Sequence, residues 1–280
     1  LKGGLLGAIL ADKLGLVGLC MLVTLASIAV LVPYLPLPDP YSLDFKRFLP
    51  PSWEHPFGTD HLGRDVFTRV LWGTRSSLLI GFTAAGISAV IGVVIGAVAG
   101  YYGGWVDEVL SRVIDIFLMI PVFFLVLYIV AVYGSNIVYV IAVIGLTTWP
   151  STARIMRAQV LSLKSREFVQ ASILAGLSGP KILFKHVIPN GIQPIIANTI
   201  LQAARAIIIE AALSYLGLGD PNVISWGRMI YEGQVYIRRY WWIPICPGIA
   251  IMVTVLALNL IGDAISNAIR APTPGGGGAA

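Results

Sequence analysis

The 280-residue chain is 57% hydrophobic and only 12% charged, with a mean hydropathy of +0.83. A soluble domain carries roughly twice that charged fraction, so an ordinary soluble enzyme or binding domain is excluded and an integral membrane protein is indicated. The net charge of +5 and the pI near 9.3 follow from membrane topology, and no nucleic-acid partner is expected.

Residues 1–13, with Lys2 and Lys13, read as a cytosolic N-terminus. Leu14 to Pro38 is free of charge and reads as the first transmembrane helix. It is longer than the apolar core of a secretory signal, and no small-residue cleavage pair precedes the charged loop, so a membrane helix is expected. Residues 39–75 form a charged extracytoplasmic loop. A five-helix core is then expected over 76–270. Ser76 to Val106 is its first charge-free window, and Ile116 to Ala153 is the second. The second is too long for one crossing, and Gly134-Ser135-Asn136 divides it into two helices joined by a tight turn. A further span runs from Pro194 to about Leu216 and a last one from Pro244 to Ala264. The expected fold is all-α and polytopic, with about six transmembrane helices. Residues 271–280 have the composition of a flexible tail. Cys20 and Cys246 lie toward opposite ends of different spans, so no disulfide is expected.

Orientation is fixed mainly by residues 154–190, which hold six bases and the single acid Glu167. Short loops with that imbalance stay in the cytoplasm. In the 39–75 loop five bases are matched by five acids. Both termini are therefore expected on the cytoplasmic side.

Several groups within the spans call for a role. Ser88, Gly92, Gly96 and Gly100 recur every four residues, a pattern that lets helices approach closely; static packing is favoured over a sliding surface. Pro150 can kink its helix. Arg205 and Glu210 stand inside a span, where a charge costs about 2.5–3.5 kcal/mol and faces a cavity or a partner. They are candidate translocation-path residues. Arg205 can meet a cargo carboxylate, or pair with Asp263, Asp115 or another chain, whereas Glu210 reads more readily as structural. His55, Asp60, His61 and Asp65 imitate a metal cluster but read better as a loop held by hydrogen bonds and ion pairs, so no metal is expected. Trp226, Tyr236, Tyr240, Trp241 and Trp242 read as an outer interfacial belt.

The segment with the clearest shape lies between two spans, within residues 156–194. A short helix stops at Gly176, which suits a left-handed C-cap. A second restarts at Ser178, Gly179 and Pro180 and is expected to end at Pro189. The chain has no phosphate-binding G-x-x-x-x-G-K-[ST] loop, no H-E-x-x-H, no C-x-x-C and no G-x-S-x-G elbow. No catalytic residue, bound cofactor or metal is expected. A membrane chain without an engine but with a gripping insert reads as one subunit of a larger machine.

This insert resembles the EAA loop of ABC-importer permeases, E-A-A-x-x-x-G followed nine residues later by I-x-L-P. Gln170, Ala171, Ser172, Gly176, His186, Ile188 and Pro189 fall at the matching positions, with Gln170 replacing the usual Glu and Ser172 the second Ala. Three further stretches resemble the C-type permeases of the dipeptide/oligopeptide/nickel branch. They are His55 to Arg69 with Gly73 to Leu78, Leu213 to Gly219 with Ser225-Trp226-Gly227, and Trp241 to Pro244 with Pro247-Gly248 and Asn259 to Asp263. Asp115 and Pro121 fall in order between them. The resemblance implies an inner-membrane location and four kinds of partner: a second homologous permease, two cytosolic ATPases, an extracytoplasmic substrate-binding protein and the lipid bilayer. ATP and Mg2+ would be bound by the ATPases. It implies small peptides as cargo, with oligosaccharides or nickel as alternatives. A channel or ion-coupled transporter would need no ATPase and would leave the insert without a task.

ATP binding would draw the two ATPases together, and the insert would pass that displacement into the helix bundle. Gln170, Ala171, Ser172, Gly176, Lys181, Lys185, His186 and Pro189 are the expected coupling residues. Lys181 and Lys185 would share one helical face, with Ile182, Leu183 and Val187 offering apolar contact. The alternative is an interfacial loop resting on anionic headgroups.

Overall fold

The computed structural model describes residues 4–270. The expected tail over 271–280, and Lys2, lie outside the described residues. The described chain folds as twelve helices: α1 Gly4–Ala11, α2 Lys13–Leu31, α3 Val66–Tyr102, α4 Gly104–Leu118, α5 Val122–Tyr133, α6 Ile137–Lys164, α7 Glu167–Leu174, α8 Gly179–Ile182, α9 Ile188–Gly191, α10 Gln193–Leu213, α11 Trp226–Gly233 and α12 Trp242–Arg270. π turns at Leu183–Val187 and Ser214–Leu218 bracket α10. Five helices among the described residues are long and apolar enough to cross a membrane. The pair α4 and α5, bent by 71° at Pro121, makes a sixth crossing if counted as one span. The expected all-α fold of about six spans is therefore found.

One expected boundary moves and another holds. The third crossing does not begin near Ile116: helix starts at Gly104, because Asp107 is neutralised by Arg157 of α6, whose Nη2 donates to Asp107 Oδ2 over 2.6 Å. The 134–136 break falls where expected, since Asn136 accepts from the Val138 amide and caps α6.

The long axis of the bundle is the pair α3 and α6. A Cβ on Gly96 would lie 2.2 Å from the Ala153 carbonyl oxygen, and one on Gly92 2.6 Å from Thr152. The glycine stripe thus serves packing inside the chain, and bare backbone lets α6 approach. Gly81 does the same against Ile207 of α10, and Gly18 of α2 against Leu260 of α12.

These contacts sort the connections to two ends. One end carries residues 32–65, the 134–136 turn and the segment around α11. The other carries α1, the start of α2, the 103–104 turn and residues 165–192. At the first end, Asp220 accepts from the Ile137 amide, and Arg64 and Arg69 both reach Glu232. At the second, Ile9 of α1 is buried with Ile261 and Ile265 of α12.

Candidate functional site

The segment between α6 and α10 is built by local backbone chemistry. Arg166 takes extended backbone and starts α7, and Gln170 Nε2 turns back to donate to the Lys164 carbonyl over 3.0 Å. Ser172 Oγ donates to the Phe168 carbonyl over 2.8 Å. At the helix end Gly176 adopts φ +76. Its amide donates to the Ile173 carbonyl over 2.9 Å, and the Leu177 amide to that of Ser172 over 3.2 Å. This is the paired closure of a Schellman motif, and the left-handed residue it requires is cheapest as glycine. Ser178 and Pro180 then start α8, as the sequence predicts.

The expected end at Pro189 is not found. After α8 the chain runs through the π turn 183–187 into α9, where Pro189 occupies the first turn and so needs no amide partner. Ile192 is the single residue between α9 and α10. Lys181 lies in α8 and Lys185 in the widened turn, and both are exposed.

A larger correction concerns apolar contact. Ile182, Leu183 and Val187, expected to face a partner, are buried in this chain's own core with Ala97, Met156, Val160, Val169 and Ile195. They anchor the segment onto α3, α6 and α10. Lys164 reinforces the seat by donating to the Tyr101 carbonyl over 2.6 Å, and its ammonium lies 5.6 Å from the centre of the Tyr101 ring. The apolar groups left outside are Phe168, Ile173, Leu174 and Phe184, with Leu174 88% exposed. Sequence reading missed Phe168, Leu174 and Phe184. Their signal is that bulky apolar residues interrupt a basic stretch on the faces opposite Val169 and Ile182.

Gln170, Ala171, Gly176, Lys181, Lys185 and Pro189 are exposed, and Ser172 and His186 half-buried, so none of the eight expected coupling residues is fully buried. Asn190 Nδ2 closes the last turn on the His186 carbonyl over 2.6 Å. The result is a rigid knob with an apolar crown and a basic flank.

Arg205 and Glu210 part company. Arg205 is exposed on the open face of α10 and has no ion-pair partner among the described residues. Asp115, one expected partner, is engaged by Arg154 at 2.8 Å, and Asp263 forms no ion pair among the described residues. Glu210 is 5% exposed and accepts from Ser214 Oγ over 2.6 Å. It is held inside the chain near the first end of the bundle, whereas Arg205 is exposed.

At that end the motif around residues 55–69 forms a clamp. His55 Nδ1 contacts Asp65 Oδ1 at 2.9 Å, while Asp65 Oδ2 accepts from the Thr68 amide and caps α3. Asp60 accepts from Arg64 Nε at 2.6 Å and Arg69 Nη1 at 2.7 Å. Both guanidiniums also reach Glu232 of α11. Burial opposes ionisation of Glu232, but Arg69 and Arg64 outweigh it and hold its carboxyl down at about 2. Burial also lowers the His61 pKa, against the pull of Asp60. Among the described residues no group of His, Cys, Asp and Glu could hold a metal ion.

The expected aromatic belt divides. Trp226 is fully buried and donates to the Val70 carbonyl over 3.0 Å, with its ring filling the space that a Cβ at Gly73 would occupy. Trp242 is buried and donates to the Thr59 carbonyl over 3.1 Å. All three of the stretches singled out in sequence thus meet in one joint, and only Trp241 of the three tryptophans remains exposed.

Residues 92–271 match the family described as binding-protein-dependent transport system inner membrane component. Over 255 residues the chain is 40% identical to a Brucella suis protein named for a peptide transport system permease, covering 90% of this chain and 86% of the relative. It is 37% identical over 260 residues to the dipeptide transport system permease protein DppC of Alkalihalophilus pseudofirmus, covering 92% and 86% respectively. A second Brucella suis protein, named for a peptide permease, is 38% identical over 221 residues, or 78% of this chain and 73% of the relative.

Proposed function

The chain belongs to the family of binding-protein-dependent transport system inner membrane components, and from that premise we propose that it forms half of the path of an ATP-driven importer. The other half would come from a second homologous permease, with two cytosolic ABC ATPases and an extracytoplasmic binding protein completing the assembly. The names of its relatives support small peptides as cargo. ATP and Mg2+ would sit on the ATPases.

The observation that carries this reading is the knob between α6 and α10. It exposes Leu174, Phe168 and Phe184 with Lys181 and Lys185, yet is seated by Val169, Ile182, Leu183 and Val187 on three membrane helices. Exposed apolar groups on a rigid seat fit a partner that pushes. The basic character of residues 154–190 supports a cytoplasmic position for this end and for both termini. The clamp at 55–69 and α11 would then face the binding protein.

Displacement of the knob would move α10, and with it Arg205. A guanidinium without a carboxylate on a membrane helix requires water or an anionic partner. A peptide's C-terminal carboxylate passing between two permeases supplies one. Co-purification of the tagged chain from its native membrane, with mass spectrometry of what accompanies it, tests the reading. A second permease, two ATPases and a binding protein are expected, with peptide in the binder. Isolation of the chain alone, moving solute in liposomes without ATP, would overturn it.

A further inference from the structure

Two clefts meet at Arg75. The first runs between α2 and α3, has a volume of about 680 Å³, and is walled by Leu22, Ala26, Ala29, Val30, Leu78 and Phe82, among others. Apart from Arg75, the tyrosine hydroxyl of Tyr34 is the only side-chain polar group in its lining. The second cleft, about 310 Å³, lies beside Arg75 and sets the polar groups of Ser76, Asn222 and Tyr41 among the apolar Ile137, Val223 and Ile224. Arg75 and Leu79 line both. Both volumes are on the scale of ligand clefts, about 300–1,000 Å³. Arg75 is exposed and, among the described residues, makes no ion pair or side-chain hydrogen bond.

Depth matches one leaflet. Arg75 closes the charge-free window that begins at Ser76, so it lies at the edge of the hydrocarbon. From Tyr34 to Leu22 the α2 wall spans twelve residues, or ~18 Å at the helical rise. Half of a hydrocarbon core is ~15 Å. An apolar slot one leaflet deep, a cation at its mouth and a smaller recess beside the cation that offers Ser76 and Asn222 form the imprint of an amphiphile with a single negative charge.

We propose that this site binds one anionic glycerophospholipid, with an acyl chain between α2 and α3, its phosphate on Arg75 and a hydroxylated headgroup toward Ser76 and Asn222. Guanidinium and phosphate match in planar, charge-assisted hydrogen bonds. A zwitterionic lipid would bring an ammonium into a recess that already holds a cation, so phosphatidylglycerol should be preferred to phosphatidylethanolamine. The bound lipid would pack α2 against α3 where protein side chains leave a gap.

The test is lipid analysis of the intact complex purified in mild detergent from a membrane containing both lipids. About one phosphatidylglycerol per copy of this chain is expected to resist delipidation. Arg75→Gln should lower its retention about tenfold, the worth of a charge-assisted bond, while Arg75→Lys keeps most of it. Ala29→Trp, which fills the slot and leaves the charge, should also release the lipid. Equal retention of the two lipid classes, or unchanged retention in Arg75→Gln and Ala29→Trp, would overturn the proposal. So would efficient cross-linking of a cysteine at position 79 to the second permease, because protein would then cover the site. Lipid count is read without ATP hydrolysis or uptake, so this outcome is independent of the importer assignment.

Discussion

Replacing Gly176 separates backbone geometry from contact in the knob. The residue adopts φ +76, and a Cβ built there would meet nothing within 4 Å. No clash penalises a larger side chain, so the cost is the left-handed conformation itself, about 1–2 kcal/mol for an L-residue and more when β-branched. That lowers the population of the Schellman closure about 5–30-fold. α7 would then lose its fixed angle to α8, while Val169, Ile182, Leu183 and Val187 still seat each piece. Gly176→Val should therefore assemble with its partners yet transport less solute per ATP hydrolysed. Gly176→Asn, which tolerates the same backbone, should keep most of the coupling. The assay is uptake and ATP hydrolysis measured together in proteoliposomes holding the complete importer. Normal transport by Gly176→Val would refute the role of the knob. Equal loss in the Asn variant would refute the argument from backbone geometry.

Gly96→Leu forces a side chain onto the Ala153 carbonyl, 2.2 Å from the first added carbon; α3 and α6 must part, and the detergent melting temperature should fall by several degrees, against little change for Gly86→Ala, where a Cβ meets nothing within 4 Å. Glu232→Gln leaves Arg64 and Arg69 short of a buried carboxylate and should destabilise the fold by about 3–5 kcal/mol, read as loss of folded protein on heating. Because the folded Glu232 pKa lies near 2, below its ordinary 4.5, its contribution of about 3 kcal/mol is complete above pH 4.5 and fades as pH falls toward 2; melting curves of the wild type and Glu232→Gln should converge over that interval. Arg205→Gln should weaken uptake of peptides with a free C-terminal carboxylate about tenfold and leave amidated peptides nearly unaffected; equal loss for both would remove Arg205 from the path.

What the sequence disclosed was mostly local. Gly176, Ser178 and Pro180 act through their own backbone, so the break and restart are legible without neighbours, and the same holds for the Gly134-Ser135-Asn136 turn. Charge-free windows found the spans because the bilayer responds to composition. What stayed hidden depends on tertiary partners. Ile182, Leu183 and Val187 look the same whether a partner or Met156 covers them. Trp226 reads as an interfacial ring until Gly73 is seen to be hollowed out beneath it. Asp107 halts a hydropathy count, yet beside Arg157 it continues a helix. The π turn at 183–187 leaves no periodic trace, since one widened turn is too short to show a period.

The junction at Ile192 sets a rotational phase. With one residue between α9 and α10, the knob and the bundle share a nearly continuous rod, so a push arrives with little slack. Each residue of an α-helix advances about 100° around its axis. Adding a single residue here would turn the open face of α10 inward, bringing Arg205 against packed side chains and sending Ile207 out. Sequence length at this joint is therefore a mechanical setting, and substitutions should be tolerated there far better than an insertion or a deletion.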